Sequence, residues 1–263
     1  RELEDAVSKA REPYGLVELA VFDTQDLVHL AVTGPLLVGT GGEGGLYVHD
    51  IADPAALPLL STAPTPLAVN CMVVDGTEVV LGCGAGEPGG PVYPALVATF
   101  DLADPAAPVA GTPLAVPQRV LALARAGDTV YAVLALQSLH RVAVEDFLAP
   151  ALLDVVEAPL VAYGLAIAGD RLFLSHLRTL HVFTNLDARE PAPGVALPVP
   201  FVVDRVARAG DLVFVAGADV EDGALQVLDL TVPQAPEVLA TFAVDDLYDI
   251  EVVGHHLLVA RFF

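Results

Sequence analysis

The sequence predicts an all-β fold, a β-propeller of six blades. Three observations lead there. Apolar runs of five to eight residues, rich in Val, Leu, Ala and Phe, are cut by Gly, Pro and Asp along the whole chain; that is strand chemistry rather than helix chemistry. The runs come in pairs joined by a turn glycine, at Gly34, Gly76, Gly127, Gly169, Gly210 and Gly254, spaced 41 to 51 residues apart. Five of these pairs are followed by a third run, a proline-marked turn and a fourth run. Four strands in a unit of about 40–45 residues is the pattern of a propeller blade.

Taken in chain order, residues 1–15 form an N-terminal extension, and the propeller occupies 16–263. Leu3, Ala6, Val7 and Ala10 have helical spacing and predict a short helix in the extension. Leu16–Phe22 matches Val238–Val244, an outermost strand. The N-terminus is therefore expected to complete the last blade and close the ring, which removes an open sheet edge. Unit one reads LVHLAVTGPLLVGT, GLYVHDIADP and LPLLSTAP; unit two ends ATFDLADPAAPVAGTP; unit five reads RVARAGDLVFVAG and ALQVLDLTVPQAPEVLATF. Asp75-Gly76 is expected to be the two-residue turn of its hairpin, because both residues tolerate positive φ. Ala126-Gly127-Asp128, Ala168-Gly169-Asp170 and Ala209-Gly210-Asp211 mark equivalent turns. Asp53-Pro54 and Asp104-Pro105 end third strands, since proline cannot donate to a ladder. In the last unit Leu247–Val253 and Leu257–Phe262 supply two inner strands, and no segment is assigned to its third.

Val48-His49-Asp50-Ile51-Ala52-Asp53-Pro54, Thr99-Phe100-Asp101-Leu102-Ala103-Asp104-Pro105 and Val227-Leu228-Asp229-Leu230 resemble the repeat of the LVIVD β-propellers. The resemblance runs from Leu16 onward. Units three and four depart from it: Ala143 and Thr184-Asn185 stand in the aspartate region, and Phe147-Leu148-Ala149-Pro150 replaces the Asp-Pro turn. The resemblance implies the architecture and a location that is extracellular, at the cell surface or periplasmic. The family is functionally diverse, so it implies no particular activity.

Composition narrows the function classes. The chain has 263 residues, 54% of them hydrophobic, which suffices for a substantial core and is unlike a disordered chain. No apolar stretch approaches the roughly 20 residues of a membrane helix, so no membrane insertion is expected. With 34 acidic residues against 12 basic ones, the net charge is −22. Such a surface repels phosphate backbones and argues against nucleic acid as a partner. Two cysteines are too few for a disulfide framework or an all-cysteine zinc site. The absence of tryptophan excludes a sugar site built on indole platforms. The chain begins Arg-Glu with no secretory leader pattern, which points to a processed or trimmed product.

Aligned on the turn glycine, the innermost strands place Ala31, Val73, Ala124, Ala166, Ala207 and Glu251 at one level of an expected axial channel. Small residues suit a crowded axis, and Glu251 breaks the pattern. Two residues earlier, on the same strand face, stand His29, Cys71, Ala122, Gly164, Arg205 and Asp249. The adjoining position adds Asn70, Tyr163, Asp204 and Tyr248. The ligand-binding candidates at this channel mouth are His29, Asn70, Cys71, Tyr163, Asp204, Arg205, Tyr248, Asp249 and Glu251. A cysteine nucleophile would draw on an imidazole oriented by a carboxylate. A transition metal would accept His, Asp and Cys. A binding mouth would use Arg205 to fork onto a carboxylate beneath Tyr163 and Tyr248. A plain water-filled rim with an Arg205–Asp249 ion pair is the structural alternative.

Other candidates are weaker. His49, His140 and His181 alternate with apolar residues on third strands, and His255 and His256 share a turn; all five are expected to be surface or satisfied positions. His176 and Cys83 end second strands near the same rim. Cys71 and Cys83 flank one hairpin and are expected to point to opposite faces as free thiols, Cys71 opposing Val80 and Cys83 opposing Ala68. Three glycine-rich acidic loops, Gly39–Gly45 with Glu43, Gly82–Gly90 with Glu87, and Gly217–Gly223 with Asp219, Glu221 and Asp222, supply oxygens of the kind calcium takes, without EF-hand spacing. No phosphate loop and no Gly-x-Ser-x-Gly elbow occurs. The resulting expectation is a non-catalytic scaffold for a protein or small-molecule ligand that requires no cofactor. Two alternatives stand beside it: a hydrolase- or lyase-type enzyme with a metal or thiol at the mouth, and a structural subunit of an assembly.

Overall fold

The computed structural model describes residues 27–41, 44–53, 56–84, 94–135, 138–157, 164–184, 186, 192–218, 223–232, 236–244, 247–253 and 256–261. The expected helix in 1–15, the strand over 16–22, Tyr163, the Gly254-His255 turn and the acidic residues of the three glycine-rich loops lie outside them. Every regular element among the described residues is a strand, so the fold is all-β.

Sheet 1 runs β1 (Leu27–Thr33), β2 (Leu36–Gly41), β3 (Leu46–Asp50) and β4 (Leu59–Ala63). Sheet 2 runs β5 (Val69–Asp75), β6 (Glu78–Gly84) and β7 (Ala95–Asp101); β8 (Val109–Ala110) and β9 (Leu114–Val116) share its outer edge, both pairing with β7. Sheet 3 is β10 (Val120–Ala126), β11 (Thr129–Leu134), β12 (Ser138–Ala143) and β13 (Ala151–Glu157). Sheet 4 is β14 (Leu165–Ala168), β15 (Arg171–His176), β16 (Thr179–Thr184) and β17 (Ala192–Pro198). Sheet 5 is β18 (Val202–Ala209), β19 (Leu212–Ala218), β20 (Gly223–Asp229) and β21 (Glu237–Ala243). Sheet 6 holds β22 (Leu247–Val253) and β23 (His256–Arg261). Each is an antiparallel meander in sequence order, and the first strand of each sheet lies beside the first strand of the next.

The inner hairpins share one turn. Thr33 pairs with Leu36, Asp75 with Glu78, Ala126 with Thr129, Ala168 with Arg171 and Ala209 with Leu212. The glycine is thus the first of two central residues, with φ between +54° and +61° in all five. Positive φ at the first central position alone is the type II′ requirement. This shifts the expected Asp75-Gly76 turn by one residue, to Gly76-Thr77, because only the glycine has to be left-handed. Cys71 therefore opposes Gly82 rather than Val80, and Cys83 opposes Val69 rather than Ala68.

A second tie recurs at the third strand. The residue after it donates its N–H to the carbonyl that follows the turn glycine: Ile51 to Pro35, Leu102 to Thr77, Val144 to Asp128 and Leu230 to Asp211, at 2.7–2.9 Å. In three sheets the aspartate ending the strand caps the exit, its Oδ1 accepting from Ala52 N (2.8 Å), Ala103 N (2.8 Å) and Thr231 N (2.7 Å). Those residues are Asp50, Asp101 and Asp229, the aspartates of the repeat motif. Such Asx turns turn the chain without a backbone partner.

The core is a row of seams between successive sheets, not one central mass. Val80, Val97, Val120 and Val130 fill the seam of sheets 2 and 3; Tyr131, Leu165, Leu172 and Phe183 that of sheets 3 and 4; Phe173, Val182, Val203 and Val213 that of sheets 4 and 5. Sheet 1 keeps one apolar face open: Leu30 and Val32 are 60% and 63% exposed. Their counterparts Met72 and Val74 pack into the seam of sheets 1 and 2.

Added side chains at the turn glycines meet open space, so substitution there tests backbone conformation alone. Gly127→Val is expected to cost about 1–2 kcal/mol in denaturant unfolding, and Gly127→Asn distinctly less, because left-handed φ penalises a β-branched residue most. Equal stability of both variants with the parent would contradict the turn assignment.

Candidate functional site

The residues predicted at the mouth mark the place where each inner strand bulges. In five inner hairpins one residue is left out of the pairing: Val28, Asn70, Leu121, Asp204 and Tyr248. The ladder resumes at the next residue, with His29 opposite Thr40, Cys71 opposite Gly82, Ala122 opposite Val133, Arg205 opposite Ala216 and Asp249 opposite Ala260. Glu251 pairs with Leu258 further along the same hairpin. Bulges bend a strand and re-aim its side chains. In sheet 4 the Ser175 hydroxyl serves instead. Its Oγ accepts from Gly164 N at 2.7 Å, and Ser175 N donates to Gly164 O at 2.9 Å.

Several of these groups are occupied locally. Asn70 Nδ2 donates to Gly84 O at 2.9 Å and fastens its bulge to the end of β6. Arg205 Nη1 donates to the carbonyl of Asp204 at 3.0 Å. Burial pushes the Asp204 carboxyl up, and the adjacent Arg205 offsets part of that. His29 is half-buried on β1.

The surroundings of Cys71 disfavour the thiolate that a nucleophile needs. Its Sγ lies beside Gly82, where an added Cβ would come within 2.5 Å of the sulfur and 2.6 Å of Val120 Cγ1. Burial, and then the neighbouring Cys83, push the Cys71 thiol far up; burial raises Cys83 to about 12. Neither yields thiolate near neutrality. The two lie in different seams, Cys83 between sheets 1 and 2 and Cys71 between sheets 2 and 3, and both are free, as the opposite-face argument anticipated.

The expected axial lining is corrected in the same way. Val73 packs between sheets 2 and 3, Ala122 and Ala124 between sheets 3 and 4, Ala166 between sheets 4 and 5, and Ala207 between sheets 5 and 6. Alternate residues of a strand held between two sheets face one neighbour or the other. Small residues there let adjacent inner strands approach.

Among the described residues no group of three His, Cys, Asp or Glu is placed to hold a metal. His49 Nδ1 sits 3.1 Å from Leu57 O. His140 departs from the expected surface or satisfied position: it is buried, its Nδ1 has no hydrogen-bond partner among the described residues, and burial lowers its pKa. Burial, and then His176, lower that of His181.

The polar groups that the sequence reading passed over lie in the seams. Arg125 on β10 reaches Glu78 on β6 (Nη2–Oε2 2.5 Å) and covers the Phe147 ring at 5.6 Å. Arg141 on β12 forks onto Asp154 on β13, with Nε–Oδ1 at 2.7 Å and Nη2 on Oδ2, and Nη1 donates to Leu186 O at 3.2 Å. That pair lines a cleft of about 510 Å³ with Tyr131, whose hydroxyl donates to the same carbonyl at 2.9 Å. A second cleft, of about 280 Å³, opens between sheets 4 and 5 beside Arg171 and Arg208. Reading the turn-glycine alignment two residues to either side would have exposed Arg125, Arg171 and Arg208, though not Arg141.

The chain matches no family model and no curated protein. Among solved structures it is similar to a functionally unknown protein from Desulfotomaculum acetoxidans DSM 771. The TM-score is 0.72 at 10% sequence identity, covering 86% of this chain and 72% of that one. At that identity the likeness speaks to fold alone.

Both thiols should resist labelling at pH 8 in the native protein and react once it is unfolded; fast native labelling of Cys71 would reopen thiol chemistry. Because the folded thiols sit above their ordinary 9.0, the unfolded chain ionises first. The thiols' contribution to stability is present below pH 9 and is lost as pH rises toward 12. Asp154→Ala strands a buried guanidinium and should cost about 3 kcal/mol or more; a loss under about 1 kcal/mol would place the pair with weak surface bridges.

Proposed function

We propose that the six sheets close into a six-bladed propeller and that the protein is a non-catalytic scaffold binding a protein or small-molecule ligand. The observation that carries the binding reading is the contrast between a constant frame and a variable rim. Turn, bulge and carbonyl tie recur from sheet to sheet. The link from second to third strand, by contrast, ranges from Leu177-Arg178 in sheet 4 to residues 85–94 in sheet 2. Rigid elements carrying variable loops are how many folds place recognition groups. The raised pKa of the half-buried Cys71 thiol weighs against the thiol enzyme.

Ring closure is supported by the open apolar face of β1 and by β21, where Val238 and Phe242 are exposed. Residues 16–22, which match β21 in pattern, are the segment proposed to complete sheet 6. The LVIVD resemblance, and with it a location outside the cytoplasm, belongs to the same reading; Asp50, Asp101 and Asp229 making one turn in three sheets supports it.

Val32→Asp tests closure. A closed ring buries this position, and the charge should then cost at least about 2 kcal/mol in a protein that sediments as a monomer. An unchanged melting temperature would mean the face stays open to water. A dimer split by the substitution would favour the assembly-subunit reading. The scaffold reading is tested with a thermal-shift panel followed by mass spectrometry of whichever compound stabilises the protein. The compound is expected back unchanged, and its conversion would establish an enzyme.

A further inference from the structure

The seams repeat, so one seam predicts what another should hold. Two positions recur at the turn end of every seam. One is the residue two after the turn glycine of one sheet; the other is the residue two before the turn glycine of the next. In three seams the pair is Leu36 with Val74, Thr129 with Ile167, and Leu212 with Val252. In the seam of sheets 2 and 3 it is Glu78 with Arg125, joined at 2.5 Å. In the seam of sheets 4 and 5 it is Arg171 with Arg208. The place that Glu78 takes in one seam is thus held by a second arginine in the other, and both arginines line the cleft of about 280 Å³.

Arg171 is positioned by the fold. Its Nη1 donates to Leu230 O at 3.0 Å and lies 3.8 Å from Asp211 Oδ1, longer than a hydrogen bond. Arg208 is exposed and makes no ion pair among the described residues. The same cleft carries Asp170 and Asp211 on its rim and Phe173 on its floor. Arg171 is loosely held by Asp211 while Arg208 has no ion pair among the described residues, and the guanidinium fork matches a carboxylate.

We propose that this cleft binds a small organic carboxylate, whose acid group takes between Arg171 and Arg208 the role that Glu78 plays beside Arg125. The site deepens the binding-scaffold reading and rests on it. It supplies a local attraction for one anion on a chain whose net charge of −22 repels anions at long range.

Titration calorimetry with succinate tests it on the whole chain, with succinamide and inorganic phosphate as comparators. Succinate should bind saturably and succinamide should not. Arg208→Ala, at an exposed position that should leave the fold intact, should weaken succinate at least about tenfold. Arg171→Glu installs an internal carboxylate and should abolish the binding; circular dichroism shows whether each variant is folded. No saturable succinate binding, equal binding by Arg208→Ala, or tighter binding of phosphate than of succinate would each overturn the assignment. Conversion of bound succinate would overturn the scaffold reading and leave the site in place.

Discussion

A sheet with apolar side chains on both faces needs cover on both faces, and that requirement organises this molecule. The sheets are apolar on two sides because alternate residues of each inner strand go to opposite neighbours. Met72 and Val74 serve the seam with sheet 1, while Cys71 and Val73 serve the seam with sheet 3. Every interior sheet is therefore simultaneously a lid and a floor. Stability is spread along a row of seams, much as in repeat proteins, where each unit leans on its neighbours. The ends are where such a row is in difficulty, and the exposed Leu30 and Val32 show the cost at the first sheet.

Local devices let the row be built from short, plain strands. A glycine at the first central position bends each inner hairpin without a Cβ penalty. A bulge near the other end of the inner strand adds twist. The backbone tie from the end of the third strand to the carbonyl after the turn glycine locks three strands at one end. Further links join sheet to sheet: Ser61 Oγ donates to Pro105 O at 2.6 Å, and Thr99 Oγ1 to Phe147 O at 2.7 Å. With so much geometry fixed by backbone and small polar groups, the opposite rim is free to vary in length.

The strand pattern was legible because its signals are local. Turn glycines, alternating runs and Asp-Pro exits located the hairpins, and Leu247–Val253 fell on β22 to the residue. The register was off by one at Gly76 because the sequence cannot say whether the glycine stands first or second in its turn. Cys71 shows the larger failure. Counting along the strand brought it level with His29 and Arg205, but level is not contact. Its surroundings, Gly82 across the ladder and Val120 on the next sheet, come from pairing and seam packing. His140 was misplaced for a similar reason, since an alternating strand does not reveal whether its polar member faces water or another sheet.

Repeats offer a way past that limit, because each seam is a control for the others. Glu78 and Arg125 would be one more ion pair in a protein without repeats. Here the same two positions are apolar or nearly so in three seams, oppositely charged in one and both cationic in another. A stabilising role alone would favour the apolar or paired solutions, which bury surface or cancel charge. Two arginines do neither between themselves; Asp211 reaches Arg171 at 3.8 Å, and Arg208 makes no ion pair among the described residues. Departures from the repeat, rather than the repeat itself, are therefore the places to look for function in a scaffold of this kind.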